Sequence, residues 1–265
     1  GVNVVTDRPA EGSTQIAQVS ADNVIVRGLD LCRDLIGKRS FTSFFYLLVT
    51  GKEPTAALLV LLDAVLVAIA EHGLVPSVVA SRMTYAADPE ALQAAVAAGL
   101  LGCGSVVLGT AEAAGRLIDA GLQEAQRSGE PLPQVASRAV DAQLRAKRRL
   151  PGFGHMVHRP VDPRAVRLLE LADEQGTAGR AVAYARALDA AVRAQSPRPL
   201  PMNVSLAIPA VMLDVGFPLA AMKGIPLLAR TASLIAHLAE ESRAPIGFKL
   251  GSNAERSIAF TGKIP

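Results

Sequence analysis

The sequence predicts an all-α fold. Ala and Leu, both strong helix formers, dominate the 265 residues. Apolar residues recur at helical spacing between breaks rich in Gly and Pro, as in the segment from Ala56 to His72. No run of alternating β-branched residues indicates a sheet. These observations favour a helical protein that is long enough to bury a sizeable core.

The predicted elements follow one another closely along the chain. Residues 1–22 are an irregular, polar lead-in, and a short amphipathic segment from Val24 to Ile36 ends at Gly37, which suits a helix C-cap. Asp88 and Pro89 resemble an N-cap with proline at the first helical position. The predicted helices cover residues 41–49, 56–72, 77–85, 89–109, 111–127, 135–148, 163–175, 180–195, 203–215, 219–223 and 225–241, before an irregular tail.

A change in polarity along the chain predicts two domains. Residues 111–216 interleave polar and apolar side chains more evenly and form the predicted small domain. Residues 1–110 and 217–265 are the two parts of the predicted large domain.

The net charge of +3 is mild and favours an anionic small molecule over a nucleic acid, which usually requires denser clusters of Lys and Arg. Cys32 and Cys103 lie far apart among apolar residues, so they suggest small core residues in a reducing, cytoplasmic compartment. They form neither a disulfide framework nor a metal-ligand spacing, and we expect no metal.

Membrane insertion is the alternative that the apolar composition raises. The first twenty residues lack the apolar core of a signal peptide. The stretch from Ala91 to Ala111 is uncharged and long enough to span a bilayer, but it contains four glycines and lacks basic anchors. We expect a buried helix followed by a loop, in a soluble protein.

Four histidines are present, and His155 stands out because it lies in a loop between Gly154 and a predicted helix start at Asp162. A neutral imidazole there can donate a hydrogen bond to a carbonyl or enolate oxygen, although a structural role is the alternative. Arg164 lies in the first turn of that helix, where a cation faces the positive end of the dipole. An anion bound nearby would explain that placement.

The segment from Pro151 to Arg159, followed by Asp162-Pro163-Arg164, closely resembles the signature of the citrate synthase superfamily, a Gly-aromatic-Gly-His loop before Asp-Pro-Arg. Three further stretches fall in the order of that family. They are Glu71-His72-Gly73, Gly109-Thr110-Ala111-Glu112, and Ala229-Arg230-Thr231 leading to Ala236-His237. The resemblance covers roughly residues 22–262 and implies a citrate synthase-like multi-helix fold with a large and a small domain.

The resemblance implies roles for several residues. His155 would polarise the keto or hydroxyl oxygen of the substrate. His72, Arg164 and Arg230 would hold its carboxylates, for which guanidinium groups have suitable geometry. Arg256 would reach the site of a neighbouring subunit, and His237 is expected to be structural.

Coenzyme A, bound as acetyl-CoA or another thioester, is the implied cosubstrate. The loop of Pro151, Gly152, Phe153 and Gly154 would lie against its adenine. Arg159 and the basic run of Arg145, Lys147, Arg148 and Arg149 are candidates for its phosphates; a solvated helix end is the alternative for that run. The family also implies a homodimer or a dimer-based oligomer.

Two departures from the family pattern concern catalysis. The position of the histidine that stabilises the enol falls on Val107 or its neighbour. The catalytic carboxylate that follows an Asn-Val pair is replaced by Ser205, which cannot act as a base at neutral pH without a partner. The nearest downstream carboxylate, Asp214, is about two and a half helical turns away.

The absent enol-binding histidine and the short length are similar to the citryl-CoA lyase branch, as are Glu240-Glu241 and Pro245-Ile246-Gly247-Phe248. The resemblance therefore predicts an enzyme that makes or cleaves the C–C bond between an acetyl-CoA-derived acyl group and oxaloacetate. Ser205 favours the alternative, a catalytically weakened protein that binds CoA and a dicarboxylate. A third alternative, a helical scaffold without a small-molecule site, would not explain why four motifs of the family occur in the family's order.

Overall fold

Eleven α-helices make up most of this computed structural model, which describes residues 12–106, 108–154 and 161–263. They are α1 (Phe41–Thr50), α2 (Ala56–Ala70), α3 (Pro76–Ala87), α4 (Leu92–Leu101), α5 (Thr110–Ser128), α6 (Leu132–Arg145), α7 (Pro163–Glu174), α8 (Arg180–Gln195), α9 (Val204–Asp214), α10 (Gly224–Glu241) and α11 (Gly247–Ser257). The chain divides into two compact units, one up to Leu59 and the other from Val60 onward.

The first unit contains the only sheet in the described ranges. Strands β1 (Ala17–Val19), β2 (Val24–Val26) and β3 (Leu29–Asp30) pair antiparallel in chain order. Arg27 and Gly28 both have positive φ and connect β2 to β3 in a tight turn. A single π-helical turn, Leu31–Leu35, follows β3. The predicted amphipathic helix from Val24 to Ile36 is therefore wrong, because the β-branched run from Val24 to Val26 forms a strand before a turn.

The helices of the second unit pack in two groups. In the first group, α3 packs against α4, α10 and α11, and α10 also contacts α4. In the second group, α9 packs against α5, α7 and α8, while α6 packs against α5 and α8. The second group lies within the predicted small domain, but the division at residues 111 and 216 stays a prediction.

Three other local predictions are corrected. Cys32 is exposed and is not a core residue, whereas Cys103 is buried as predicted. Asp88 caps the C-terminus of α3 and does not start α4, which begins at Leu92. The tail predicted to be irregular contains α11. Its first residue, Gly247, packs so tightly that an added Cβ would lie 2.6 Å from the Cβ of Ala86 on α3. This contact depends on tertiary packing and leaves little signal in the local sequence.

The apolar stretch from Ala91 to Ala111 forms α4, a loop and the start of α5. Only Leu219–Glu241, which includes α10, is long and apolar enough among the described helices to cross a membrane by length and composition. That segment carries the buried Arg230 and packs against α3 and α4, as a core helix does. Length and composition are therefore weak evidence for a membrane span here.

Candidate active site

Three side chains on one face of α10 fasten the turn that follows α2. Arg230, Ser233 and His237 are spaced three and four residues apart, so they project from the same side of the helix. Arg230 Nη2 donates to the carbonyl oxygen of Ile69 at 3.3 Å. The hydroxyl of Ser233 donates to the Glu71 carboxylate, and His237 Nε2 lies 3.0 Å from Glu71 Oε2. The predicted site residue His72 is the next residue of that turn.

Arg230 is a buried cation with spare hydrogen-bonding capacity. The residue is only 3% exposed, and neither Nε nor Nη1 has a hydrogen-bond partner within the described ranges. Burial lowers the pKa of its guanidinium, and the like charge of Arg164 acts in the same direction. An arginine nevertheless stays protonated in proteins. Because an unpaired buried charge is costly, these two N–H groups indicate a site for an anionic ligand.

Glu71 is the nearby negative charge that the folded chain supplies. Partial burial alone would raise its pKa, but hydrogen bonds from Ser233, from the backbone N–H of Gly73 and from His237 together lower it to about 2. The Gly73 bond is 2.5 Å long. Glu71 therefore contacts both α10 and the backbone N–H of Gly73. His72 lies between Glu71 and Gly73, so these contacts restrain it on both sides.

A chain of charges continues from Glu71 into the first helix group. Arg82 on α3 is 2% exposed; its Nε and Nη2 lie 3.1 and 2.9 Å from His237 Nδ1. Arginine can only donate, so Nδ1 accepts and Nε2 carries the proton that bonds Glu71. Arg82 also pairs with Glu240 and, at 2.9 Å, with Glu241. The structural role predicted for His237 fits these contacts.

Arg164 is held by the carboxylate that caps its own helix. Its Nε and Nη2 donate to Asp162 Oδ1 and Oδ2 at 3.0 and 2.9 Å, and its backbone N–H donates to Oδ1 at 3.0 Å. Asp162 Oδ2 also accepts from the backbone N–H of Val204 at 3.0 Å, which joins the starts of α7 and α9. Burial would raise the pKa of Asp162, but these bonds from Arg164 and Val204 keep it below its usual value.

The glycine-rich loop is joined to the segment before α9. Phe153 pairs with Met202 as an isolated antiparallel bridge, and Gly154 N donates to Pro201 O at 2.8 Å. Asn203 Nδ2 donates to Gly154 O at 2.7 Å. Gly152 has a φ of 82°, and a Cβ there would lie 2.5 Å from the Cβ of Leu206. This position requires glycine both for its conformation and for its close approach to α9.

Ser205 and Thr110 meet where two helices begin. Thr110 Oγ1, in the first residue of α5, donates to Ser205 Oγ at 2.9 Å. The backbone N–H of Ser205 is occupied by Asn203 Oδ1 at 2.9 Å, so Asn203 is the N-cap of α9. The predicted catalytic position thus holds a pair of hydroxyl groups next to two positive helix termini.

Asp214 does not reach the site, because its carboxylate caps another helix. Oδ2 accepts from the backbone N–H groups of Gly179 and Val182 at 2.7 and 2.9 Å, and Oδ1 accepts from Ala181 at 2.8 Å. Asp214 ends α9 and satisfies the N-terminus of α8. It therefore cannot replace the missing base, as its spacing in the sequence also indicated.

The structure does not describe all of the predicted site residues. His155 and Arg159 lie outside the described residues, as does Val107. Arg149 is exposed after the end of α6, as are Lys147 and Arg148, and Arg145 is exposed in the last turn of that helix. Arg256 is exposed on α11 and hydrogen-bonds Asn253. The described contacts therefore join the turn that bears His72 to the helix of Arg230. They also join the start of α7, which bears Arg164, to the start of α9, which bears Ser205.

No role was predicted for Glu71, Arg82 or Thr110, which the structure connects to these groups. Glu71 and Thr110 each lie within a stretch that resembles the family, and this membership is the signal that could have found them. Arg82 carries no such signal because its partners lie more than 150 residues away along the chain.

A small cavity of about 150 Å³ lies between α7 and α8 beside Pro201 and Met202. It is smaller than the roughly 300–1,000 Å³ of pockets for drug-sized ligands. Across the described ranges, no group of three or more His, Cys, Asp and Glu side chains could hold a metal ion.

The sequence also matches a known protein family. The family described as "Citrate synthase, C-terminal domain" has a model that matches residues 27–247, well over half of the chain. The chain belongs to the citrate synthase family. The predicted family and the all-α fold are thereby confirmed.

Two solved structures superpose closely on the chain. Citryl-CoA lyase from Hydrogenobacter thermophilus matches with a TM-score of 0.83 and 31% identity, over 96% of this chain and 95% of that one. ATP citrate lyase from Methanosaeta concilii, solved with (3S)-citryl-CoA, has a TM-score of 0.76 and 21% identity, over 98% of this chain and 43% of that one. The second match concerns the fold alone.

Sequence relatives in the citrate synthase family are longer than this chain. "Putative citrate synthase 2" of Mycobacterium bovis, and its Mycobacterium tuberculosis counterpart, are 32% identical over 218 residues, which is 80% of this chain and 54% of theirs. The chain thus spans about half the length of the curated relatives it matches.

Proposed function

We propose that the chain acts as a citryl-CoA lyase-like or citrate synthase-like enzyme on the C–C bond between an acetyl-CoA-derived acyl group and oxaloacetate. The observation that carries this proposal is Arg230, a buried guanidinium with two N–H groups free of hydrogen-bond partners in the described structure. A substrate carboxylate would accept a charge-assisted hydrogen bond from one of these nitrogens, and a second substrate oxygen would accept from the other. The similarity to citryl-CoA lyase over nearly both full chains supports this reaction class.

In the cleavage direction, the bond between the acyl methylene carbon and the carbinol carbon breaks. The hydroxyl group loses its proton and becomes the keto group of oxaloacetate, while the electron pair stays on the thioester α-carbon, which then takes up a proton. Arg230 and His72 would hold the oxaloacetate carboxylates, and Arg164 would contribute a further positive charge. By resemblance, His155 would polarise the substrate oxygen.

The thioester is proposed to lie against the loop from Pro151 to Gly154. By resemblance, the loop would contact the adenine ring. Its hydrogen bond from Asn203, the N-cap of α9, places it near Ser205, so the acyl end of the same thioester would reach the neighbouring site. Arg149 and Arg159 remain our candidates for the phosphates. We further propose a homodimer or a dimer-based oligomer in the cytoplasm, with CoA thioester and citrate or oxaloacetate as ligands.

The decisive experiment incubates the protein with citryl-CoA and, separately, with acetyl-CoA plus oxaloacetate, and follows CoA species by mass spectrometry. Turnover that is lost in both His155→Ala and Arg230→Gln would support the proposal. Retained turnover in Arg230→Gln would contradict our assignment of its role.

A catalytically weakened binding protein is the second candidate, and Ser205 favours it. A hydroxyl pair in place of a carboxylate lacks a base, and the loss of a general base typically costs about 10²–10⁴-fold in rate. If neither mixture turns over while calorimetry detects binding of both CoA and oxaloacetate, the binding function replaces the enzymatic one.

A further inference from the structure

The turn that carries His72 is fixed by the chain far beyond its own neighbours. Ile69 is bonded by Arg230, Glu71 by Ser233 and His237, and Gly73 by the carboxylate of Glu71. All three α10 side chains come from one face of the helix. The same face therefore supplies an anion-binding group and the contacts that locate His72.

We infer that Glu71, held by Ser233 and His237, is a positioning residue that fixes His72 against the Arg230 face of α10 for binding of the keto acid. The inference rests on the proposed function and adds residues to that site. Glu71 acts through its neighbours, because its carboxylate is already bonded to the Gly73 backbone, to Ser233 and to His237.

The charge distribution explains why this residue is a carboxylate. The negative charge of Glu71 favours the charged form of the buried Arg230 guanidinium, and Arg82 on the far side of His237 keeps Nδ1 of that ring an acceptor. His237 Nε2–H is consequently directed at Glu71. A neutral amide at position 71 would present its NH₂ group in place of one acceptor oxygen, either to Gly73 or to both Ser233 and His237.

The inference predicts different effects on the affinity for the keto acid and on the affinity for CoA. The turn belongs to the first helix group, whereas the glycine loop proposed for CoA is joined to α9 in the second group. Loss of the Glu71 contacts should therefore weaken binding of the keto acid and leave CoA binding intact. A defect that is merely structural would weaken both.

Isothermal calorimetry with oxaloacetate and with CoA tests this separation. Glu71→Ala should raise the Kd for oxaloacetate roughly tenfold, the effect of losing one or two hydrogen bonds. Its Kd for CoA should change less than about twofold. The matched control is Glu174→Ala, because Glu174 has the same 52% side-chain exposure as Glu71 and pairs with Arg167 on α7. That variant should leave both constants unchanged.

Substitutions at position 237 test whether the hydrogen bonds of the His237 ring are sufficient for oxaloacetate binding. His237→Gln retains a donor for Glu71 and an acceptor for Arg82, so it should bind oxaloacetate within about threefold of the unaltered protein. His237→Leu retains neither and should resemble Glu71→Ala. If Glu71→Ala fails to fold, Ser233→Ala removes one of the same bonds with a smaller change and should raise the oxaloacetate Kd about threefold.

The possible failures are distinguishable. Normal oxaloacetate binding by the unaltered protein and by Glu71→Ala would overturn the positioning role alone, and so would an equal loss of CoA affinity. If the unaltered protein binds CoA but not oxaloacetate or citrate, the proposed function fails and the positioning role fails with it.

Discussion

Thr110 donates a 2.9 Å hydrogen bond to the hydroxyl of Ser205, which links the first turns of α5 and α9. The two helices come from distant parts of the sequence. The contact places a hydroxyl group next to the position where the family pattern has its carboxylate, and it provides a donor that a carboxylate could use.

Ser205→Asp is expected to raise citrate-forming activity. The new carboxylate would accept from Thr110 and could remove the α-proton of acetyl-CoA, a contribution of about 10²–10⁴-fold. CoA release from acetyl-CoA plus oxaloacetate measures it. Ser205→Asn, which has the same shape without a basic carboxylate, is the control. Equal activities of the two variants would show that position 205 is not the place of the base.

The two buried arginines should respond in opposite ways to replacement by methionine. Arg230→Met removes an unpaired buried charge, so the free energy of unfolding should stay equal or rise by up to about 2 kcal/mol, while oxaloacetate binding weakens at least 100-fold, roughly the value of two charged hydrogen bonds. Arg82→Met leaves the buried Glu241 without its ion pair and should cost about 3 kcal/mol. Urea unfolding and calorimetry measure the two effects; equal destabilisation would contradict the distinction.

Asp214→Ala should destabilise the fold by about 1–3 kcal/mol, because three backbone N–H groups at the start of α8 lose their acceptor. Urea denaturation measures this loss. Asp141→Ala is the control: Asp141 forms an exposed pair with Arg145 within α6, and its removal should cost no more than about 0.5 kcal/mol. Similar values for the two variants would contradict the capping role.

Glu71 should contribute to acid stability. Its pKa in the folded chain is about 2, below the ordinary value of 4.5. The carboxylate therefore stabilises the fold fully above pH 4.5, and this contribution is lost as the pH falls from 4.5 towards 2. Glu71→Gln should flatten the dependence of the urea midpoint on pH within that window. Parallel pH profiles of the variant and the unaltered protein would refute this prediction.

Gly121→Ala should be strongly destabilising, because a Cβ there would lie 2.0 Å from Cζ of the buried Tyr184 ring. We expect a loss of about 3 kcal/mol or more in urea denaturation. Gly224→Ala, where no atom lies within 4 Å of the added Cβ, should leave stability equal or up to about 1 kcal/mol higher. A small loss for Gly121→Ala would indicate that the Tyr184 ring has room to move.

Strong local signals made most of the helices predictable. The bounds predicted for α8 are those observed, and α7 begins at the predicted cap, Asp162. Strands of two or three residues are too short to show alternation, so the N-terminal sheet was missed.

The site was predictable where its residues lie in family motifs and unpredictable where its energetics depend on burial. The motif order identified Arg230, but only the folded chain shows that two of its N–H groups have no hydrogen-bond partner in the described structure. The departure at Ser205 was evident from the sequence. Its contact with Thr110 was not, since 95 residues separate the two hydroxyl groups along the chain.

The contact between Glu71 and His237 spans 166 residues of sequence and has a consequence for synthesis. At roughly 5–20 residues per second, a ribosome would need about 8–33 seconds after adding Glu71 to reach His237. During that time the turn that bears His72 lacks the α10 side chains that hold it in place. The ribosome would therefore synthesise all of the second group of helices, α5 to α9, before the keto-acid side of the site can assemble.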